Sequence, residues 1–267
     1  MRIWQITLSV LMGLALTAST ACDKNGKFNL LSVEQDRQLG AQTAQQIASD
    51  PGQFPLLPRQ GNEAAYAYLD NMRTQILNSG KITYKDEFAW EMHIIRDDAT
   101  LNAFCTPGGY IYVYTGLIKF LDRADDLAGV LGHEMGHADL RHTSRQITQQ
   151  QGYDLVLSIA LGQNPGALAQ IATQLKDLTY SRSYEREADD ASVKYLSGTS
   201  FACNGAASFF QKLIDAGNGG QGVPTFLSTH PAPASRVQDI NAHAQTLGCS
   251  TTPTSDAGYA AFKRSLP

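Results

Sequence analysis

The sequence predicts an α+β fold that is mainly helical and contains one small β-sheet. Apolar side chains recur at helical spacing along most of the 267 residues, whereas segments 88–96 and 110–114 carry the pattern of strands. The sequence shows no internal repeat, and its 43% hydrophobic and 17% charged residues are typical of a globular protein. One domain of this length buries enough apolar surface to fold without a disulfide framework.

Amphipathic stretches predict the helices, and Pro, Gly and Asn residues predict where they end. In the first helix Leu39 and Ile47 share one apolar face, and the Asp-Pro-Gly sequence at 50–52 ends it. The predicted helices are 34–49, 62–78, 116–122, 125–142, 167–178, 184–197, 203–216 and 233–247. The apolar stretch 153–162 is too short to span a bilayer.

The first 21 residues have the pattern of a signal peptide, in which Arg2 precedes an apolar stretch and small residues follow. Cys22 then stands where a bacterial lipobox places its lipidated cysteine, so lipidation at Cys22 is expected. Ser19 departs from the Leu or Val usual at its position, and a plainly secreted protein with an ordinary thiol stays open. The predicted location is the periplasm or cell envelope, with membrane contact only through an N-terminal lipid.

The rest of the chain divides into three parts. Residues 22–33 are expected to form a tether, residues 34–249 one domain, and the Thr- and Ser-rich residues 250–267 a flexible tail. Lys and Arg number 21 and Asp and Glu 25, which gives a formal net charge of -4. Because binding of nucleic acid needs clustered positive charge, nucleic acid is excluded as the main partner.

The strongest functional pattern is His133-Glu134-Met135-Gly136-His137, which lies inside the predicted helix 125–142. Two histidines four residues apart project from one helix face, so two ring nitrogens can bind the same zinc ion. The glutamate that follows the first histidine can act as general base toward a water molecule. The flanking apolar residues predict that this helix is buried and lines an interior cleft.

Two histidines leave a catalytic zinc one protein ligand short. His142 follows at the wrong spacing, since a third histidine six residues after the second would replace Thr143, so His142 is expected to be solvated or to support the site. Glu185 and Asp189 are four apart on a later predicted helix. Glu185 can complete the ligand set, and Asp189 can accept the free ring N–H of a ligand histidine. The alternative is an ordinary charged helix whose carboxylates pair with neighbouring arginines.

Four motifs in order resemble the gluzincin metallopeptidases of the CAAX prenyl protease/HtpX type, especially their soluble periplasmic lipoprotein members. They are His-Glu-Met-Gly-His-Ala at 133–138, Glu-x-x-Ala-Asp at 185–189, the Asn-Ala-Phe to Pro-Gly-Gly region at 102–113, and Ser-Thr-His-Pro at 228–231 followed by Arg236. The resemblance runs from about residue 34 to 247. It implies a zincin-like metallopeptidase domain with its sheet beside the zinc helix. It also implies a zinc-dependent endopeptidase. The export pattern, the zinc motif and the strand beside it predict that this enzyme acts on unfolded or misfolded cell-envelope proteins.

The resemblance also implies roles for individual side chains. One zinc ion per chain would be held by His133, His137 and Glu185. Glu134 would be the general base. His230 would donate to the transition state, and Arg236 would support the site. Alternatively His230 itself binds zinc, and the protein is a latent or catalytically silent, chaperone-like zinc protein; a purely structural His230 that caps a loop against Arg236 is the third possibility.

The segment after the Pro-Gly-Gly turn is expected to bind substrate. Gly109, Tyr110, Ile111 and Tyr112 would belong to an exposed edge strand that pairs with extended substrate backbone, although a buried core strand is the alternative. Backbone pairing reads little sequence, so the predicted partners are unfolded or misfolded polypeptides. A zinc amidase that acts on cell-wall peptides is a further alternative.

The four cysteines leave two interpretations open. In an oxidising compartment Cys203 and Cys249 are the favoured disulfide pair, because Cys105 lies in the segment assigned to the active-site wall. Three unpaired thiols, with Cys22 lipidated, is the alternative.

Overall fold

The structure is a computed structural model that describes residues 23–27, 29–218, 225–230 and 235–267. The predicted signal peptide and Cys22 lie outside the described residues. The helices before the metal-binding motif and through it are α1 (Val33–Ala48), α2 (Glu63–Leu77), α3 (Thr115–Phe120) and α4 (Ala124–Asp139). The later helices are α5 (His142–Gln151), α6 (Tyr153–Ala160), α7 (Pro165–Leu175), α8 (Arg182–Leu196), α9 (Gly205–Asn218), α10 (Thr225–Thr229), α11 (Ser235–Leu247) and α12 (Ala257–Ser265). The mainly helical α+β fold is confirmed.

Within the described chain the strands form one three-stranded sheet, in the order β1 (Glu91–Ile95), β3 (Tyr110–Tyr114), β2 (Ala103–Thr106). β1 runs parallel to β3, and β2 runs antiparallel to it. A short 3₁₀ turn at Pro107–Gly109 joins β2 to β3, and Gly108 takes a φ of 73° there, which only glycine adopts at little cost. The Pro-Gly-Gly sequence therefore makes the hairpin turn.

The prediction that Gly109, Tyr110, Ile111 and Tyr112 belong to an exposed edge strand is wrong. β3 is the central strand, paired along its length with β1 on one side and β2 on the other. Both neighbours use the backbone groups that a substrate would need. The strand at the edge of the sheet beside α4 is β2.

The sheet separates two apolar cores because alternate residues of β3 face opposite sides. Ile111 and Val113 pack in the larger core with α2, α4, α8 and α9. Tyr112 and Tyr114 pack in the smaller core with α1, α6 and α7. The larger core therefore surrounds the helix that carries the two motif histidines.

Helix α4 is buried along its whole length, and glycines let its neighbours approach closely. A Cβ on Gly129 would lie 2.1 Å from the backbone nitrogen of Ala206, at the start of α9. A Cβ on Gly136 would lie 3.0 Å from Ala191 Cβ, on α8. These contacts hold α8 and α9 directly against the motif.

The predicted helix 125–142 ends earlier than expected, at Asp139, and α5 begins at His142. The break is at Arg141, whose φ is 58°. Arg141 is buried, and its Nε donates to Asp36 Oδ2 of α1 at 2.6 Å. This ion pair with a distant residue stabilises a backbone turn that no local glycine signals.

The N-terminal segment before α1 lies against the domain. Asn25 Nδ2 donates to the backbone oxygen of Asp139 at 2.8 Å, and Lys27 Nζ donates to Glu187 Oε1 at 3.2 Å. The described residues of the expected tether therefore contact the end of α4 and the middle of α8.

The C-terminal segment differs from the flexible tail expected at 250–267. Its residues 257–265 form α12, which Asp256 caps by accepting from Gly258 N. Tyr259 and Phe262 of this helix are buried, and the Phe262 ring stacks on Tyr68 of α2 with 4.6 Å between centroids. Two aromatic anchors three residues apart therefore hold the chain end on α2.

The structure pairs Cys203 with Cys249 in a disulfide, which joins the chain just before α9 to the chain after α11. Among the described residues Cys105 is the free cysteine, and it is buried. In the same residues, no single helix is long and apolar enough to cross a membrane. By length and composition alone one bent helix pair passes that test, α6 with α7, at an angle of 105°.

Candidate metal centre

Four side chains from three parts of the fold converge on one point. Helix α4 supplies His133 and His137 one turn apart, α8 supplies Glu185, and the residue after α10 supplies His230. Each offers one ligand atom, and these atoms all lie within 4.8 Å of one another. The two α4 nitrogens, Nε2 of His133 and Nε2 of His137, are 3.0 Å apart. All four side chains are buried.

This donor set fits a metal ion. Imidazole nitrogens and a carboxylate oxygen are the ligands of catalytic zinc sites. Neither carboxylate oxygen of the fully buried Glu134 has a hydrogen-bond partner in the part of the chain that the structure describes. A buried carboxylate without partners is costly, so a bound cation beside it would offset an otherwise uncompensated charge.

The electrostatics of the two glutamates differ. Burial raises the pKa of Glu134 above its usual range, and His230 and His133 only partly oppose this effect. Burial acts in the same direction on Glu185, but His230 and hydrogen bonds from the two α4 histidines hold its pKa well below its usual range. Glu185 is thus suited to stay ionised as a ligand, whereas Glu134 is suited to take and release a proton.

Asp189 and Arg236 contact the residues of the cluster from the outside. Because Nε2 of His133 faces the cluster, its ring proton is assigned to Nδ1, which donates to Asp189 Oδ1 at 2.9 Å. Arg236 donates to both oxygens of Asp189, at 2.7 and 2.6 Å, and its Nη1 lies 2.8 Å from Glu185 Oε2. The buried guanidinium of Arg236 therefore orients Glu185 directly and His133 through Asp189.

His142 is fully buried and not solvated, because α5 begins with it and turns it under α4. Its Nδ1 lies 3.0 Å from Nδ1 of His137. Burial lowers the pKa of His142 to about 4. The structure thus places this residue behind a cluster histidine and outside the cluster.

Two aromatic rings against the cluster were missed by sequence reasoning. Tyr180 stacks on His137 with 3.9 Å between ring centroids, and its hydroxyl lies 2.8 Å from Thr143 Oγ1. Phe226 stacks on His230 at 4.3 Å. Each ring fixes the plane of a histidine. Their positions in the sequence could have indicated these contacts. Tyr180 directly precedes the N-cap residue of α8, and Phe226 lies one helical turn before His230.

The residues expected to bind substrate are not part of this cluster. Gly109, Tyr110, Ile111 and Tyr112 lie in the turn and the central strand, and β2 lies between that strand and α4. The neighbour of the site from the sheet is therefore β2, where Cys105 Sγ lies 3.4 Å from Thr143 Oγ1.

A buried helix with two histidines one turn apart, a glutamate between them and a carboxylate from a second helix define the class of metallopeptidases. The sequence pattern of Peptidase family M48 matches residues 63–244, more than half of the chain. The chain belongs to peptidase family M48, and the predicted gluzincin resemblance is confirmed.

Curated relatives carry matching names. The chain is 27% identical over 223 residues to "Mitochondrial metalloendopeptidase OMA1" of Schizosaccharomyces pombe, covering 80% of this chain and 62% of the relative. It is 31% identical over 192 residues to "Putative beta-barrel assembly-enhancing protease" of Vibrio cholerae, covering 67% and 39%. It is 27% identical over 254 residues to "Beta-barrel assembly-enhancing protease" of Escherichia coli, covering 88% and 49%. The chain thus spans less than two thirds of the length of each of these relatives.

Proposed function

We propose that this protein is a zinc-dependent endopeptidase that hydrolyses unfolded or misfolded proteins of the cell envelope. The observation that carries the catalytic part is Glu134, a fully buried carboxylate with no hydrogen-bond partner among the described residues, beside four converging ligand atoms. Zinc is the proposed ion because imidazole and carboxylate donors in a compact set suit its tetrahedral coordination.

His133, His137 and Glu185 would hold the ion. When bound, zinc supplies Lewis-acid chemistry, which polarises the scissile carbonyl and acidifies water. Glu134 accepts the proton of the attacking water on a carboxylate oxygen and then delivers it to the leaving amide nitrogen. Nε2 of His230 lies 3.6 Å from Glu134 Oε1, and in this proposal it donates a hydrogen bond to the oxyanion.

The substrate part of the proposal rests on two observations outside the site. The first 21 residues have an export pattern, with Cys22 as the proposed site of lipid attachment. Two relatives are named for enhancing β-barrel assembly. An exported peptidase similar to such proteins is expected to act on envelope polypeptides, and polypeptides without stable structure offer the extended backbone that a buried site requires.

The test compares one substrate sequence in two states. Purified protein is incubated with native ribonuclease A and with reduced, carboxymethylated ribonuclease A, each with and without a zinc chelator. The proposal expects cleavage of the unfolded form only, abolished by the chelator and restored by added zinc. Equal cleavage of both forms would contradict selectivity for unfolded chains, and cleavage that persists in the chelator would contradict the metal mechanism.

A second candidate function is favoured by the position of His230. Its Nδ1 lies 3.0 Å from Glu185 Oε1 and 3.3 Å from His133 Nε2, within the ligand set itself. If His230 binds the ion, the protein is latent or a silent, chaperone-like zinc protein. His230→Ala separates the two functions: increased cleavage of unfolded ribonuclease A supports latency, whereas decreased cleavage supports His230 as an oxyanion donor.

A further inference from the structure

The two α4 histidines of the cluster are supported by different kinds of partner. His133 has the usual arrangement, in which Nδ1 faces a carboxylate, that of Asp189, at 2.9 Å. Nδ1 of His137 instead faces Nδ1 of His142 at 3.0 Å. Nε2 of His142 in turn lies 3.4 Å from Glu187 Oε2. A carboxylate thus stands behind each of the two α4 histidines. It contacts His133 directly, whereas the imidazole of His142 lies between His137 and the carboxylate of Glu187.

We propose that His142 is a positioning residue for the metal ligand His137, and that Glu187 holds His142 in the orientation this requires. The inference rests on the proposed function, in which His137 binds the metal. It assigns a role to His142, which lies outside the cluster. It also assigns a role to Glu187, which lies on α8 like Glu185 but contacts His142.

The hydrogen-bond directions along this chain are mutually consistent. Nε2 of His137 faces the cluster, 3.5 Å from Glu185 Oε1. If Nε2 binds the metal, as proposed, it carries no proton, and the ring proton of His137 lies on Nδ1. His142 Nδ1 is therefore the acceptor, and the proton of His142 lies on Nε2. That nitrogen faces the Glu187 carboxylate, which can only accept when ionised. Each donor meets an acceptor, and the arrangement specifies one tautomer for each ring.

Packing fixes both rings in the planes that these hydrogen bonds need. Tyr180 stacks on His137, with 3.9 Å between centroids and 19° between planes. Tyr184 stacks on His142 at 4.3 Å and 7°. The left-handed turn at Arg141 places His142 at the first position of α5, directly beneath the last turn of α4. Neither ring can therefore rotate without the loss of a stacked tyrosine.

The outer end of the chain reaches the protein surface. Lys27 Nζ donates to Glu187 Oε1 at 3.2 Å, and Ser183 Oγ donates to the same oxygen at 3.5 Å. Because Glu187 is 28% exposed, its replacement does not leave a buried cavity. Glu187 is thus the member of the chain that can be changed with least effect on folding.

The experiment measures the dissociation constant for Zn²⁺ by competition with a chromophoric chelator, and the melting temperature of each metal-free protein. His142→Leu removes the acceptor, whereas His142→Gln keeps an amide that can accept from His137 and donate to Glu187. Glu187→Gln weakens the outer hydrogen bond. His243→Leu is the matched control, because His243 pairs with Asp190 on the outside of α8.

We expect His142→Leu to bind Zn²⁺ about 10- to 100-fold more weakly than wild type. Glu187→Gln should lose less, His142→Gln should recover most of the affinity, and His243→Leu should match wild type. If His142→Leu does not fold, Glu187→Gln decides the question. Wild-type affinity in the folded His142→Leu variant, or in Glu187→Gln when His142→Leu does not fold, overturns the inference and leaves the proposed function intact. A wild-type protein that binds no Zn²⁺ overturns both.

Discussion

Arg236 neutralises two buried carboxylates, so replacing it should lower the free energy of unfolding more than breaking a surface ion pair does. The side chain is 3% exposed and makes contacts of 2.6 to 2.8 Å with Asp189 and Glu185. Its guanidinium also lies 3.8 Å from the centroid of the Phe210 ring. Arg236→Met keeps apolar contact with that ring but leaves both carboxylates buried without this cation. Removal of one partner from a buried ionic network costs about 3 to 5 kcal/mol.

The assay is urea unfolding followed by far-UV circular dichroism, with a chelator present so that metal does not mask the loss. Arg37→Met is the control, because Arg37 pairs with Glu34 on the exposed face of α1. Such pairs contribute at most about 0.5 kcal/mol. We expect a loss of about 3 to 5 kcal/mol for Arg236→Met and little change for Arg37→Met. Equal, small losses for both variants would refute the argument that burial decides the value of this ion network.

Three further predictions concern stability. The disulfide between Cys203 and Cys249 spans 46 residues, so replacing both with alanine should lower the free energy of unfolding by about 4 kcal/mol in urea titrations; an unchanged midpoint would contradict this. Burial lowers the pKa of His93 to about 4, so the stability that depends on its neutral form is complete above about pH 6.5 and is lost as the pH falls toward 4. Between pH 7 and 5 the free energy of unfolding of wild type should therefore fall by about 2 kcal/mol more than that of His93→Gln. If the free energies of unfolding of the two proteins change in parallel with pH, His93 does not cause the loss. Gly129→Ala should lower the free energy of unfolding by about 3 kcal/mol or more, because its Cβ would lie 2.1 Å from a backbone nitrogen. Gly166→Ala is the control and should be neutral or slightly stabilising, because its Cβ would have open space among the described residues. Thermal melts of both variants measure the difference.

The parts of the site that sequence predicted are those that lie within one helix. His133 and His137 share a face because they are four residues apart, and the same spacing relates Glu185 to Asp189. Their approach to one another depends on the packing of α8 against α4, which no local pattern encodes. The prediction that these residues form one site depended on the family resemblance.

The failures share a physical cause, which is that non-local partners decided the outcome. The residues of β3 are apolar on both faces, and that pattern suits a buried edge strand as well as a central one. The parallel pairing of Glu91 with Tyr110 is what makes β3 central. Similarly, α4 ends where it does because Arg141 pairs with Asp36, 105 residues away. The burial of His142 follows from that turn.

The C-terminal helix, by contrast, was predictable. Asp256 is a helix N-cap residue, and Tyr259 and Phe262 stand three residues apart in the sequence Ala-Gly-Tyr-Ala-Ala-Phe that follows. The Thr- and Ser-rich residues 250–255 concealed a short amphipathic helix because they dominated the composition of the segment.

The most direct test of the central claim is cleavage of casein by wild type and by Glu134→Gln, with zinc content measured on the same samples. The exchange of one oxygen for an NH₂ group keeps the size of the side chain and removes its basic carboxylate. If Glu134 is the general base, both proteins hold one zinc per chain and the variant cleaves casein at least about 100-fold more slowly. A variant that holds zinc and cleaves casein as fast as wild type would exclude Glu134 as the general base.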